Sequence, residues 1–312
     1  LDRMEGLLSQ VRNLLALEEY LQNMPREQAG GYLRRIAPVF PRLAERYRKR
    51  DEIQGAYFCH FIAEWGGFLG EERHSLAEKT AQFVRRPSVY SKVNALKALC
   101  ALGEAEVLLD ALTWLAPEGD EHLQIHEKIA VEALLDFHGD ARALIALIWR
   151  RFERFPVYAQ RMLLDYIRFK SGDDRDELLA ILLDKGRDKE LRLSAIRYFG
   201  RYPDERARAA LLNFVSESGE LTRWEYAAVA ASSLARYPGG DTVDALTAAM
   251  CSPNWYVRYN SAASLEQLGF TDEALLASAV SNDRYAREML TYRLEMRRAE
   301  AQRGAAEEAA AV

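Results

Sequence analysis

The stretch Trp255-Tyr256-Val257-Arg258-Tyr259-Asn260-Ser261-Ala262-Ala263-Ser264-Leu265-Glu266-Gln267-Leu268-Gly269 decides the fold, because its pattern returns along most of the chain. Ser91-Lys92-Val93-Asn94-Ala95-Leu96-Lys97-Ala98-Leu99-Cys100-Ala101-Leu102-Gly103 carries small residues at the same offsets and the same Leu-x-x-Leu-Gly ending. Further echoes centre on Val131, Leu163, Ala195 and Ala230. With Ala95, Val131, Leu163, Ala195, Ala230 and Ser261 as equivalent points, the steps are 36, 32, 32, 35 and 31 residues. Periods of this size mark stacked helical arrays, in which one unit cannot bury its apolar face until the next covers it.

The punctuation between echoes predicts two helices per unit. First helices open at Asp140, Asp173 with Asp174, Asp204, Asp241, and Thr271 with Asp272, side chains suited to accept the free N–H groups of a first turn. Breaks within units fall at Arg86-Pro87, Phe155-Pro156, Gly186, Gly219 and Ser252-Pro253. Units close at Gly103, Gly139, Gly172, Pro203, Pro238 and Gly269, where Gly admits a left-handed cap and Pro cannot continue a helix. On the second helices, small residues such as Ala95, Ala98, Ala195, Ala230, Ser261 and Ser264 allow close backbone approach. Leu99, Leu134, Ile167, Phe199, Leu234 and Leu265 supply large apolar partners one turn on.

Val257-Arg258 and Leu191-Arg192, with the Ala or Ser positions after them, resemble the Val-Arg-x-x-Ala opening of the second helix in HEAT repeats, particularly the short bacterial type also found in phycobilisome lyase subunits. Tyr226-Ala227 lacks the Arg, and the units around Val131 and Leu163 match in pattern only. The resemblance implies an all-α fold, a right-handed α-α superhelix or HEAT-like solenoid of about seven or eight helix pairs. The expected organisation is an amphipathic capping helix over 1–24, a degenerate first pair over 32–72 kinked at Pro38 and Pro41, an array over 73–296, and an Ala/Glu-rich tail over 297–312.

The family includes scaffolds, transport receptors and a few enzymes, so function must be sought in residues. The formal net charge is -5, which argues against nucleic acid as the partner of the chain as a whole. Residues 1–50 hold ten Lys or Arg against six Asp or Glu, with Arg42, Arg46, Arg48, Lys49 and Arg50 the densest run. Such a run fits a solvated helix face, an acidic partner or proximity to an anionic membrane. Cys59, Cys100 and Cys251 lie far apart among apolar neighbours, as buried thiols in a reducing, cytoplasmic compartment would. The chain opens on Leu1, so the alternative expectation is the soluble part of a protein with an upstream anchor.

Motifs for chemistry are sparse. His122 and His126, four apart with Glu121 and Glu127 nearby, would share a helix face, but only His138 offers a third metal ligand. His126-Glu127 is a single His-Glu doublet, where the HEAT-type iron hydroxylases need several. Trp224, Trp255, Tyr256 and Tyr259 with Arg223 and Arg258 would suit stacked bases and phosphates, as in the HEAT-type alkylpurine DNA glycosylases, with Asp165 a candidate inward carboxylate. A bilin lyase subunit is suggested by the repeat subtype alone. No phosphate-cradling Gly-rich loop, nucleophile elbow or paired-Cys motif occurs, and no cofactor is expected. What recurs is Tyr and Arg on second helices: Tyr158, Arg161, Tyr198, Arg201, Tyr226, Arg258 and Tyr259. These residue types favour protein contacts. The expected function is therefore a non-catalytic scaffold or adaptor holding a protein or peptide in a concave groove, with core filling and inter-repeat bonding the competing roles of each side chain.

Overall fold

The computed structural model describes residues 1–115, 125–216, 224–277 and 282–310, with no side-chain description at 305 and 307–310. The described residues are all-helical, without strands, and form two compact units, Leu1–Lys170 and Ser171–Val312.

The N-terminal unit runs α1 (Asp2–Leu8), α2 (Val11–Gln22), α3 (Arg26–Ile36), α4 (Phe40–Tyr47), α5 (Glu52–Trp65), α6 (Arg73–Ala81), α7 (Val89–Leu102), α8 (Ala105–Leu112), α9 (Glu127–Leu135), α10 (Ala141–Arg151) and α11 (Val157–Lys170). Packing alternates. α4, α6, α8 and α10 follow one another in one layer, and α5, α7, α9 and α11 in the other. A short 3-10 turn, Ala37–Val39, joins α3 to α4 where Pro38 and Pro41 predicted a kink. The segment expected to be one capping helix is two, α1 and α2, broken at Ser9 and Gln10. α1 packs on α4, and α2 on α3 and α5. Leu14, Leu17 and Leu21 give α2 its buried stripe, at helical spacing.

The C-terminal unit repeats the scheme with α12 (Arg175–Leu183), α13 (Lys189–Arg201), α14 (Glu205–Ser216), α15 (Trp224–Leu234), α16 (Gly240–Ala249), α17 (Trp255–Gln267), α18 (Asp272–Leu276) and α19 (Arg284–Ala310). α12, α14 and α16 are consecutive neighbours in one layer, and α13, α15, α17 and α19 in the other. α18 packs on α19. The residues expected as a tail are the continuation of α19.

Polar side chains hold successive second-layer helices in register by reaching the carbonyls of the helix before. Asn94 Nδ2 donates to Ala56 O, Ser233 Oγ to Ile196 O, Asn260 Nδ2 to Ala228 O and Ser264 Oγ to Ala231 O, at 2.7–3.1 Å and at sequence separations of 32–38. These bonds require close approach. A Cβ on Gly200 would lie 2.6 Å from Ser233 Oγ, and one on Gly139 would lie 2.5 Å from Gly103 O. Gly103 itself ends α7 at φ 73°, the left-handed cap expected of it.

Arginines after the break between helices satisfy carbonyls that a helix end leaves open. Arg258 Nη1 donates to Ser252 O and Pro253 O at 2.8 and 2.9 Å, and Arg192 Nε to Leu182 O at 3.2 Å. Arg86 does the same for the α4–α5 connection, donating to the carbonyls of Tyr47, Arg48, Arg50 and Asp51.

Candidate functional site

The most conspicuous surface feature is a ridge of rings in the C-terminal unit. Asn254 caps α17, its Oδ1 accepting from the N–H groups of Tyr256 and Val257 at 2.9 and 3.3 Å. That cap places Trp255 and Tyr256 in the first turn, with Tyr259 one turn on, on the side away from buried Val257, Arg258, Ser261 and Ala262. Trp255 stacks on Tyr259 (centroids 4.9 Å apart, planes at 13°) and meets Tyr256 edge to face at 5.2 Å. The array extends to both neighbouring helices. Tyr256 stacks on Trp224 of α15 at 5.6 Å, and Trp255 meets Tyr292 of α19 edge to face at 5.9 Å.

These rings contact one another and still face solvent. Trp255 is 41% exposed, Tyr256 57%, Tyr259 37% and Tyr292 39%. Among the described residues, the Trp255 indole N–H and the hydroxyls of Tyr256, Tyr259 and Tyr292 have no hydrogen-bond partner. Two of the cations near the ridge are paired. Arg293 lies 5.5 Å from the Tyr259 ring, but its Nε donates to both oxygens of Asp272, which is fully buried, at 3.1 Å. Beside Trp224, Lys189 Nζ meets Glu225 Oε1 at 2.6 Å. The rings themselves present flat apolar faces with donors at their rims.

The residues expected as partner anchors fare unequally. Tyr198 is fully buried, its hydroxyl accepting from Asp174 N at 3.1 Å, with burial pushing its pKa up; it is a core residue, not an anchor. Arg258 is buried on the carbonyls of Ser252 and Pro253, with Tyr285 over its guanidinium at 5.0 Å, so it too is structural. Tyr226 is half-buried, stacked on Phe214 at 5.0 Å beside Arg192, at a cleft of about 390 Å³ that also includes Leu182, Ala210 and Asn213. Arg201 is exposed, near the Tyr202 ring. In the N-terminal unit, the Tyr158 hydroxyl donates to Ile125 O and its pKa is pushed up to about 12 by burial, and Arg161 pairs with Glu127 at 2.9 Å. Of the seven, Tyr259 alone belongs to the ridge. Trp224, Trp255 and Tyr256 stand out in the sequence as a base-stacking set, and Tyr292 does not, because it lies beyond the last sequence echo, centred on Ser261.

The basic run is not one open patch. Arg42 and Arg46 reach back to α1, with Arg42 Nη1 on Asp2 at 2.9 Å and on Glu5 at 3.2 Å, and Arg46 Nε on Glu5 at 2.6 Å. Arg48 meets Glu45 at 3.3 Å, and Lys49 and Arg50 are exposed. Much of this charge fastens α1 to α4.

Sites of other chemistry gain little. His122 and Glu121 lie outside the described residues; His126 Nδ1 accepts from Lys128 N at 3.2 Å as the cap of α9. Among the described residues no group of three His, Cys, Asp or Glu is placed to hold a metal ion. Asp165 pairs with Arg168 at 3.1 Å. Cys59 and Cys100 are buried, which raises their thiol pKa values, and Cys251 is half-buried. No described helix is long and apolar enough to cross a membrane. No model of a protein family matches the chain, and no curated protein matches it.

Proposed function

We propose that the chain is a HEAT-like right-handed solenoid that works as a non-catalytic scaffold or adaptor, holding a partner protein or peptide against the aromatic ridge of the C-terminal unit. Support for the architecture comes from the steps of 31–36 residues between sequence echoes and from the alternating layers of each unit. Hydrogen bonds recurring one step apart along the second-layer helices agree with it. One observation carries the function: Trp255, Tyr256, Tyr259 and Tyr292 touch one another, remain 37–57% exposed, and bear donors with no partner among the described residues. A joined aromatic surface of this kind is uncommon unless something covers it, and Tyr and Trp are the side chains that dominate binding surfaces. The glycosylase-like alternative gains nothing from Asp165, whose carboxylate is paired.

The test is selection of a displayed random-peptide library on the chain and on a Trp255→Ala, Tyr259→Ala variant. Peptides enriched by the parent and lost with the variant support the reading. No enrichment, or the same peptides from both proteins, sinks it.

A further inference from the structure

We infer that the ridge takes a proline-rich segment in the polyproline II conformation. This rests on the peptide-binding reading above and names its ligand class.

The ridge is defined by what it offers and what it lacks. It offers the flat faces of Trp255, Tyr256, Tyr259 and Tyr292, with an indole N–H and phenolic O–H groups at their rims free of partners among the described residues. The ligand that matches is apolar on its sides and rich in acceptors. A polyproline II strand fits both terms, since its carbonyls make no internal hydrogen bonds and its proline residues carry no N–H to satisfy. A helical peptide spends its carbonyls within itself, so the rim donors would stay unpaired against it.

Charge narrows the choice further. The guanidinium over Tyr259 is held by Asp272, and Lys189 by Glu225, the residue after Trp224, so an incoming carboxylate or phosphate would compete with a carboxylate at each. The unit around the ridge, residues 171–312, has 18 Lys or Arg against 23 Asp or Glu, a balance that repels polyanions. Single-stranded nucleic acid would use the rings for stacking but would meet this net negative balance along its backbone.

Length agrees. From Trp224 through Tyr256 and Trp255 to Tyr292 the ring steps are 5.6, 5.2 and 5.9 Å. That path is at most about 17 Å, which at about 3.1 Å per residue accommodates five or six residues of polyproline II, nearly two turns. The rings are also set before the ligand arrives. Trp255 is wedged among Tyr256, Tyr259 and Tyr292, and its helix start is fixed by Asn254, so little side-chain freedom is lost on binding. A ligand already extended loses little as well.

The experiment is titration of the full chain with decaproline, with a Gly/Ser peptide of equal length and with oligo(dT) at physiological salt, read by tryptophan fluorescence and calorimetry. The expected result is saturable binding of decaproline, with the Gly/Ser peptide at least about tenfold weaker. Trp255→Ala should weaken decaproline binding by about tenfold or more, as loss of a central aromatic anchor does. Tyr259→Phe keeps the ring and removes only the donor, and should weaken it severalfold without change in the melting curve; Tyr90→Ala, in the N-terminal unit, should leave it unaltered. Equal binding of decaproline and the Gly/Ser peptide, tighter binding of oligo(dT), or decaproline binding indifferent to Trp255→Ala would each overturn the inference. If decaproline fails while the displayed library yields ridge-dependent peptides of other composition, the proline inference alone falls. If the library yields none, the peptide-binding reading falls with it.

Discussion

The two units follow one packing plan and differ in how the rings at their surfaces are arranged. In the N-terminal unit Phe40 stacks on Phe61, and Tyr47, Phe58 and Phe83 form a second stack, all fully buried. Its most exposed apolar side chains, Ile53 at 82% and Tyr90 at 81%, join no aromatic cluster, with no ring contact for Tyr90 among the described residues. In the C-terminal unit the second-layer helices meet through Ala227, Ala230, Ala231, Ser233, Ser261 and Ser264, and Gly200 sits against Ser233. Between α15 and α17 small residues fill the contact, while the buried rings of this unit, Tyr198, Phe199 and Tyr237, lie elsewhere in it. Trp255, Tyr256, Tyr259 and Tyr292 lie on the outer face, where successive helices bring rings into contact. Close backbone approach and a joined aromatic surface thus belong to the same pair of helices, α15 and α17.

The largest effect expected from breaking this contrast is in the core under the ridge. Asp272 is fully buried between Arg293 and Arg297, with Arg293 itself 7% exposed. Asp272→Ala leaves a buried guanidinium without its carboxylate, and should destabilise the C-terminal unit by about 3–5 kcal/mol. Chemical denaturation measures it, with amide exchange accelerating in α17–α19; an unchanged midpoint would show that Glu266 suffices as the partner of Arg293.

Two tyrosines of the C-terminal unit sharpen the contrast at the scale of one oxygen atom. Tyr198→Phe removes the acceptor of Asp174 N–H inside the core and should cost about 1–2 kcal/mol. Tyr259→Phe removes a hydroxyl with no partner among the described residues and should leave the denaturation midpoint where it was. Equal losses from both would mean that the Tyr259 hydroxyl is bonded in solution, and the ridge would then offer one donor fewer.

Much of the helix order was legible in the sequence, for reasons that particular residues show. Asp140 caps α10 by accepting from Arg142 N and Ala143 N, and Thr271 caps α18 through Ala274 N, because short polar side chains at a helix start have few other local partners. Gly269, like Gly103, ends its helix with positive φ. Where the sequence misled, two side-chain roles were close in composition. Tyr198 and Tyr259 both follow an arginine on a second-layer helix, yet Tyr198 is buried in the core and Tyr259 faces outward, a difference of helical phase that an irregular period blurs. Arg258 read as an anchor because its polarity was visible and its acceptors, the carbonyls of Ser252 and Pro253, carry no sequence identity. The joining of Tyr292 to the ridge depends on α19 lying beside α17, a tertiary contact beyond the reach of local pattern.

In the N-terminal unit the corresponding test is electrostatic and smaller. Glu5, 8% exposed, gathers Arg42 and Arg46, both about half exposed at the side chain. Glu5→Gln should loosen α1 from α4 at a cost of about 0.5–1 kcal/mol, less at high salt, because solvent already screens both arginines. Protease sensitivity within residues 1–10 should rise while α5 to α11 keep their exchange protection. An unchanged digestion pattern would leave apolar contact through buried Leu8 as the force that holds α1.

The smallest expected effect is a titration on the same unit's surface. His74, in α6, has Nδ1 3.0 Å from Glu104 Oε2 and Nε2 3.7 Å from Glu78. The hydrogen bond to Glu104 raises its pKa above the ordinary histidine value of about 6.5, with the charges of Glu104 and Glu78 acting in the same direction. A raised folded value means that the protonated ring is favoured in the native state. The contribution is therefore fully present below the unfolded value and disappears as pH climbs through the folded one. Since the ring is 62% exposed at the side chain, salt should erode it. Following the imidazole protons by NMR across pH 5 to 9, on the order of the range where histidine charge changes, should show a midpoint above that of an unpaired histidine. Glu104→Gln should bring it down, and Glu78→Gln should move it less. A midpoint at the ordinary value in the parent would mean that α6 and the start of α8 stand further apart in solution than the 3.0 Å contact requires.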